Sequence, residues 1–419
     1  MNVLLLSQFF PPEPCAASNR NAAVAGHLRA SGHGVHVVTG FPNFPSGVIP
    51  NGYQRRLRAR ESVDGVPVTR TWTFATPRRS TLLRLLNWAS VAVSATLEVL
   101  FSRERFDVVY VSSPPITLAL PALAAALRHR ALLVVDVRDS YPEVAIRMGM
   151  WKPDSALTRA VGWIARTLYR RAALVVGVTE SMRKEIEGRG CEPSKVLIAP
   201  NGFDRVPAAP TTPFARREGD VVAAFVGNFG LAAGVDVIVD AAVLMRDDAT
   251  VRFVLVGDGS EFQRIRDRVA AEGLENVEFL GARPRAEAMA ALRDAELCIV
   301  PLKRHLVDSL PTKIFDALSV GCPVIVSAEG EARDFIERSH GGWHVPPEDP
   351  PALAAAIRAI AAAPRERLER GSAGRAYVEQ NFDRARSMAS IVGHMEALEG
   401  EQRSQAEGSW PLAPPRRSR

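Results

Sequence analysis

Cysteine is scarce in these 419 residues, and the four that occur, Cys15, Cys191, Cys298 and Cys322, lie far apart without a CxxC pair. That spacing argues against a zinc ribbon or a disulfide scaffold and fits a reducing cytosol. The eight histidines are scattered as well, and His27, His33 and His36 read as surface or packing residues. No His/Cys group has metal-ligand spacing and no Asp-x-Asp closes a strand, while Asp247-Asp248 reads as a solvated loop, so no metal and no other cofactor is expected. No basic leader precedes Met1-Asn2-Val3-Leu4-Leu5-Leu6-Ser7, which reads as a first strand and gives a cytoplasmic expectation. Neither half has Gly-x-Gly-x-x-Gly after its first strand, which argues against a nicotinamide dehydrogenase.

What is present is ordinary globular material, 47% apolar and 23% charged, in a chain too long for one core. The net charge of +6 is unevenly spread: residues 1–204 hold 25 Lys+Arg against 15 Asp+Glu, and the remainder 27 against 31. A basic first half could meet anionic lipid, a phosphorylated acceptor or nucleic acid, because all three attract it by the same Coulomb force.

Short Val/Leu/Ile-rich runs alternate with Ala-rich stretches of helical spacing, the pattern of parallel strands buried on both faces. One series comprises Val3–Gln8, Val35–Thr39, Val66–Thr71, Asp107–Ser112, Leu132–Val137, Ala173–Thr179 and Val196–Ala199. A second comprises Val221–Val226, Arg252–Val256, Val277–Leu280, Leu297–Pro301 and Pro323–Ser327. This predicts an α/β protein of two doubly wound Rossmann-like domains, residues 1–205 and 221–400, facing a central cleft across a Pro-rich linker, 206–220. The last helix could pack back on the first domain, and a polar tail, 401–419, is expected to be disordered. The apolar stretch Leu82–Phe101 is interrupted by Asn87, Ser90, Ser94, Thr96 and Glu98, so it reads as an amphipathic helix and not a membrane span. Arg78, Arg79, Arg84, Arg103 and Arg105 flank it, which allows either a crossover helix on the first sheet or an interfacial helix on anionic headgroups.

The chemistry concentrates in Asp308-Ser309-Leu310-Pro311-Thr312-Lys313-Ile314-Phe315-Asp316, which follows a buried strand and enters a helix. Pro311 suits a first helical turn, whose free N–H groups and positive dipole end make an anion site for a diphosphate. Ser309, Leu310, Pro311 and Thr312 form that turn. Lys313 and Asp316 share a helical face, which puts a cation near the phosphates and a carboxylate one turn deeper, where it can accept hydrogen bonds from ribose hydroxyls. Upstream, Val226-Gly227-Asn228-Phe229-Gly230 follows the first strand of the second half, and Gly227 and Gly230 would let backbone N–H groups approach a diphosphate, with Asn228 between them.

With Gly321-Cys322-Pro323-Val324 after it, this segment resembles the paired-acid motif of the retaining family 4 glycosyltransferases, which have the GT-B fold. The resemblance implies that Asp316 holds the ribose and Asp308 orients the donor sugar, both being Asp where the family has Glu. It also implies that the loop Leu280-Gly281-Ala282-Arg283-Pro284 lies at the donor base, so Arg283 joins the donor-binding set. In the first half, Phe10-Pro11-Pro12-Glu13-Pro14 with Arg20, Gly40-Phe41-Pro42-Asn43-Phe44, Ser113-Pro114-Pro115, Arg138-Asp139-Ser140-Tyr141-Pro142 and Pro200-Asn201-Gly202-Phe203-Asp204 resemble a subgroup that builds bacterial surface polysaccharides, including N-acetyl-fucosamine transferases. This places Arg20 and Asn43 at the acceptor and Asp139 at the acceptor hydroxyl or the donor sugar.

The resemblance implies transfer of a sugar, an N-acetylated amino sugar in that subgroup, from a UDP-type donor to a lipid-linked or glycan acceptor. Lys313 and backbone dipoles would stabilise the departing diphosphate without a metal. The expected partners are that donor, that acceptor and the inner face of a membrane, with no nucleic acid. Two other readings share the architecture: a nucleotide-sugar 2-epimerase, which binds the same donor without transferring it, and a non-catalytic donor-binding subunit.

Overall fold

The computed structural model describes residues 1–78, 80–217 and 219–408, with side chains through 405. Its chain packs as two compact units. One holds Met1–Val144, Trp151–Ala199 and the C-terminal residues from Met388; the other holds Ala145–Met150 and Pro200–Ser387.

The first unit is built on an eight-stranded sheet: β1 (Asn2–Ser7), β2 (Gly34–Gly40), β3 (Arg58–Val63), β4 (Val66–Thr71), β5 (Val108–Ser113), β6 (Leu132–Val137), β7 (Leu174–Gly177) and β8 (Val196–Ile198). Their spatial order is β3-β4-β2-β1-β5-β6-β7-β8. All neighbours are parallel except the edge strand β3, which runs antiparallel to β4. β3 was not expected. Its sequence, Arg-Ala-Arg-Glu-Ser-Val, carries the charges that suit a sheet edge and hides it from an apolar-run reading. The order reverses beside β1, with β2 on one side and β5 on the other, so the loops after β1 and β5 open at a topological switch point.

The second unit has six parallel strands, β9 (Val221–Val226), β10 (Val251–Val256), β11 (Val277–Gly281), β12 (Leu297–Pro301), β13 (Val324–Ser327) and β14 (Gly342–Val345), in the order β11-β10-β9-β12-β13-β14. β14, Gly-Trp-His-Val, is too short and too polar to stand out in sequence. Successive side chains of β9 enter opposite cores, Val222 and Ala224 on one face, Val221, Ala223 and Phe225 on the other. Burial on both faces explains why these strands read as continuous apolar runs.

Two expectations need correction. The stretch 206–220 is not a free tether. Phe214 is buried in the second unit's core, Ala209 N–H donates to Ala286 at 2.9 Å, and Arg216 binds the Asp294 carbonyl at 2.7 Å. The polar stretch from Glu401 is helical within Arg384–Gly408, and 409–419 lie outside the described residues. That helix serves the first unit from Met388 on: Met388, Ile391, Val392 and Met395 are buried with Val3, Leu5 and Val24, and His33 Nε2 meets Glu396 at 2.8 Å.

Ile391→Ala should therefore destabilise the first unit, by about 2–4 kcal/mol for a fully buried large-to-small change. In calorimetric melting the transition of the first unit should fall while that of the second stays; a fall in the second alone would reassign the helix.

Candidate functional site

In the second unit the chain leaves β9 at Gly227 and β10 at Gly257, side by side, with β9 bordering the sheet's switch point toward β12. Gly227 has φ 145°, and a Cβ there would stand 3.2 Å from both Cε and Nζ of Lys313. Gly257 has φ 137°, and a Cβ there would strike the Gly227 carbonyl. Only glycine permits the two backbones and the lysine to converge. The loop N–H groups divide: Gly227 donates to the Val256 carbonyl at 2.9 Å and Phe229 to Asp258 at 3.0 Å, leaving Asn228 and Gly230 as the donors toward a ligand. Gly227 thus contributes clearance and not a hydrogen bond, which refines its expected role. Asn228 is exposed, while Phe229 is buried edge-on against Phe225 and Phe262 and anchors the loop.

The helix Thr312–Ser319 begins beside this loop. Pro311 does not lie in its first turn, as expected, but just before it at the N-cap, with φ −65° and ψ 136° and no side-chain cap, so no side chain of its own occupies the first-turn N–H groups. Ser309, Leu310 and Thr312 are half-buried around it. The ammonium of Lys313 lies 4.0 Å from the Phe225 ring centroid. By surface area the residue is only half-buried, but its charged end is enclosed by protein, and that desolvation pushes its pKa down to about 8. A desolvated cation over a ring, with glycine clearance on one side, is stabilised by an arriving anion.

One turn deeper, Asp316 accepts a hydrogen bond from Arg285 Nη2 at 2.9 Å. Burial pushes its carboxyl up and the Arg285 guanidinium opposes that. Arg285 also faces Asp204 at 3.6 Å, and Arg384, almost fully buried, holds Asp204 at 3.0 Å and donates to the carbonyls of Asn201 and Gly202. Pro200-Asn201-Gly202-Phe203-Asp204, attributed to the first half by sequence, therefore belongs to the second unit, where Phe203 pairs with Asp383. Arg283 is exposed and meets Glu287 at 3.7 Å; the neighbouring Arg285 is the arginine that reaches the carboxylate. Sequence gave no signal for this choice, because only the helix starting at Arg285 decides which side chain turns inward. Asp308 pairs with Arg147 at 2.9 Å, so the residue expected to orient a sugar already holds a cation.

In the first unit Arg20 cannot meet an acceptor directly. It is 1% exposed and grips the fully buried Asp136 with Nε at 2.8 Å and Nη2 at 2.8 Å. A guanidinium fork matched to a carboxylate leaves neither buried charge uncompensated, so the pair fixes the first helix, Ala16–Ala30, to β6. Asn43 turns its amide to the Phe41 carbonyl at 2.9 Å, and its backbone N–H donates to Glu13 Oε1, as does that of Phe44 at 3.0 Å. Burial pushes the Glu13 carboxyl up against those two N–H donors. Glu13, quoted in its motif but given no role there, is the staple between the loops after β1 and β2. Asp139 is exposed just beyond β6, and after burial its charge is the second cause pushing Tyr141 up to about 12.

The chain matches two family models, "Glycosyl transferase 4-like domain" over residues 17–202 and "Glycosyl transferases group 1" over 212–377. It is 24% identical to the colanic acid biosynthesis glycosyl transferase WcaI of Escherichia coli over 94% of this chain and 99% of that one. To the glycosyltransferase WbjE of Pseudomonas aeruginosa it is 25% identical over 71% and 76% of the two chains. Among solved structures, Anabaena HepE in complex with UDP superposes with a TM-score of 0.68 at 19% identity, over 95% of this chain and 100% of that one. WaaG, a glycosyltransferase involved in lipopolysaccharide biosynthesis, gives 0.66 at 14% identity, over 94% and 99%.

An anion that restores the charge of Lys313 raises its pKa above 8, so affinity should fall as pH rises through that value, and binding at pH 8.5 should take up a proton. Calorimetry of UDP binding in buffers of different ionisation enthalpy should show that uptake in the wild type and not in Lys313→Gln. Equal proton counts for the two proteins would remove Lys313 from the phosphates.

Proposed function

We infer the reaction from one premise: the chain is a glycosyltransferase of the GT-B fold, a glycosyl transferase 4-like domain followed by a group 1 glycosyl transferase domain, with relatives in polysaccharide biosynthesis. The reaction is retaining transfer of a sugar, an N-acetylated amino sugar, from a UDP-sugar to a lipid-linked or glycan acceptor of a surface polysaccharide. The observation that carries the donor half of this reading is the cradle at Gly227, Gly257 and Lys313.

As the bond between the anomeric carbon and the diphosphate breaks, negative charge grows on the leaving phosphate oxygens and positive charge on the sugar. The Lys313 ammonium, the N–H groups of Asn228 and Gly230 and the uncapped helix start can meet the first of these. Fixed donors in a desolvated pocket need no reorganisation during the reaction, and their contribution grows with the charge they face. Lys313 supplies the monovalent cation that this reading assigns to leaving-group stabilisation, so turnover should persist in EDTA. Complete loss on chelation, restored by magnesium or manganese, would contradict it. Asp316 receives the ribose hydroxyls in competition with, or alongside, Arg285. This reading assigns Asp308, paired with Arg147, to the donor sugar, and Asp139 to the acceptor hydroxyl or the donor sugar.

Asp316→Ala should weaken UDP binding by about 10- to 100-fold, the range of a hydrogen bond to a charged group, with thermal melting little changed. Unchanged affinity in a folded variant would take Asp316 off the ribose. The sugar itself is tested by incubating a panel of UDP-, GDP- and dTDP-sugars with a lipid diphosphate-linked acceptor and identifying the product: a transferred UDP-derived sugar with its anomeric configuration kept is expected. Inversion, or a nucleotide sugar epimerised without transfer, would replace this reading.

A further inference from the structure

The helix Thr81–Phe101 is apolar on two sides. One, with Val91, Ala92, Ala95 and Val99, is buried in the first unit, where the helix packs on β2, β4 and the helix Ala119–His129. The other is a ridge at three- and four-residue spacing, Leu82, Leu86, Ala89, Val93, Leu97 and Leu100, ending in Phe101, and all of it is exposed. Val93 is 54% and Phe101 81% exposed. Leu120 and Leu127, two turns apart on the adjoining helix, are also exposed. A surface helix ordinarily shows water a polar face, and a continuous apolar patch of this extent marks a contact surface.

The charges around the ridge say what covers it. Arg78 and Arg84 lie exposed at one end of the helix and Arg103 and Arg105 beyond the other, while Arg79 falls outside the described residues. The nearby acids face elsewhere: Glu98 is paired with Arg58, and Glu104 with His36 at 2.7 Å. An apolar ridge with cationic ends complements an anionic bilayer, whose acyl boundary takes leucines and whose phosphates take arginines. A second copy across a twofold axis would instead set one basic rim against another.

We propose that this ridge is a membrane-insertion face, which the helix enters lying in the interface. The helix is long and apolar enough to cross a bilayer by length and composition. Its inner side belongs to the core of the first unit, so it rests in the interface without spanning. Attachment by arginines alone would fade as salt shortens the Debye length; side-chain insertion adds a part that salt does not remove. The inference deepens the lipid-linked acceptor reading and rests on it for its purpose only. Its test uses neither donor nor acceptor, so the two readings fail separately.

Wild type and Val93→Glu/Leu97→Glu are sedimented with acceptor-free vesicles of phosphatidylglycerol mixed with phosphatidylcholine, at low and high salt. Both positions are exposed, and thermal melting confirms that the variant folds. The wild type should bind, keep part of its binding at high salt, and exceed the variant by at least about tenfold, as expected for two large apolar side chains withdrawn from the acyl region. Equal binding by the two proteins, or a wild type left in the supernatant, overturns the proposal. A wild-type dimer in light scattering that the variant converts to monomer overturns it as well, and gives the ridge to a second copy.

Discussion

Gly257 passes so close to the Gly227 carbonyl that it could carry no side chain, Gly227 leaves the clearance that Lys313 needs, and the second unit's site depends on that crossing. It brings the loop after β9 up to the start of the helix Thr312–Ser319, where Lys313 can lie against Phe225 with its ammonium out of water. Desolvation makes the lysine cost something while the site is vacant and makes an arriving anion worth more. A side chain at Gly257 would push the loops apart, and one at Gly227 would press on Lys313 itself.

Around this crossing the charges are arranged in a chain within the second unit: Asp316 to Arg285, Arg285 to Asp204, Asp204 to Arg384. Each of these charges has an opposite partner, Arg384 buried and the others half-buried, so the carboxylate one turn below Lys313 is held in place with its charge compensated. A ligand hydroxyl reaching Asp316 enters an arrangement already fixed. The first unit solves a similar problem with one pair, Arg20 and Asp136, beneath its own loops, and with Glu13, which ties the loops after β1 and β2 together.

Much of the architecture was legible in sequence because parallel strands buried on both faces appear as apolar runs, and the runs found there lie on the observed strands. β3 and β14 escaped because an edge strand and a four-residue strand have little apolar signal. At the site, Lys313 and Asp316 could be placed on one helical face by spacing alone, since a helix fixes neighbours three apart. Partners distant in sequence could not: nothing in the chain order shows that Asp136 claims Arg20, that Arg147 claims Asp308, or that Arg285 and not Arg283 turns toward Asp316. The apolar stripe of Thr81–Phe101 was visible as a pattern, but which of the helix's two apolar sides met water is decided by the sheet beneath it.

The central claim is that the crossing at Gly227 and Gly257 and the lysine above it form a diphosphate site, and a crystal structure with UDP tests it most directly. The account predicts phosphate oxygens within hydrogen-bond distance of Lys313 Nζ and of the backbone N–H of Asn228 or Gly230, with the ribose hydroxyls at Asp316. A diphosphate bound away from Lys313, with its ammonium still lying against Phe225 and no phosphate near it, would contradict the account.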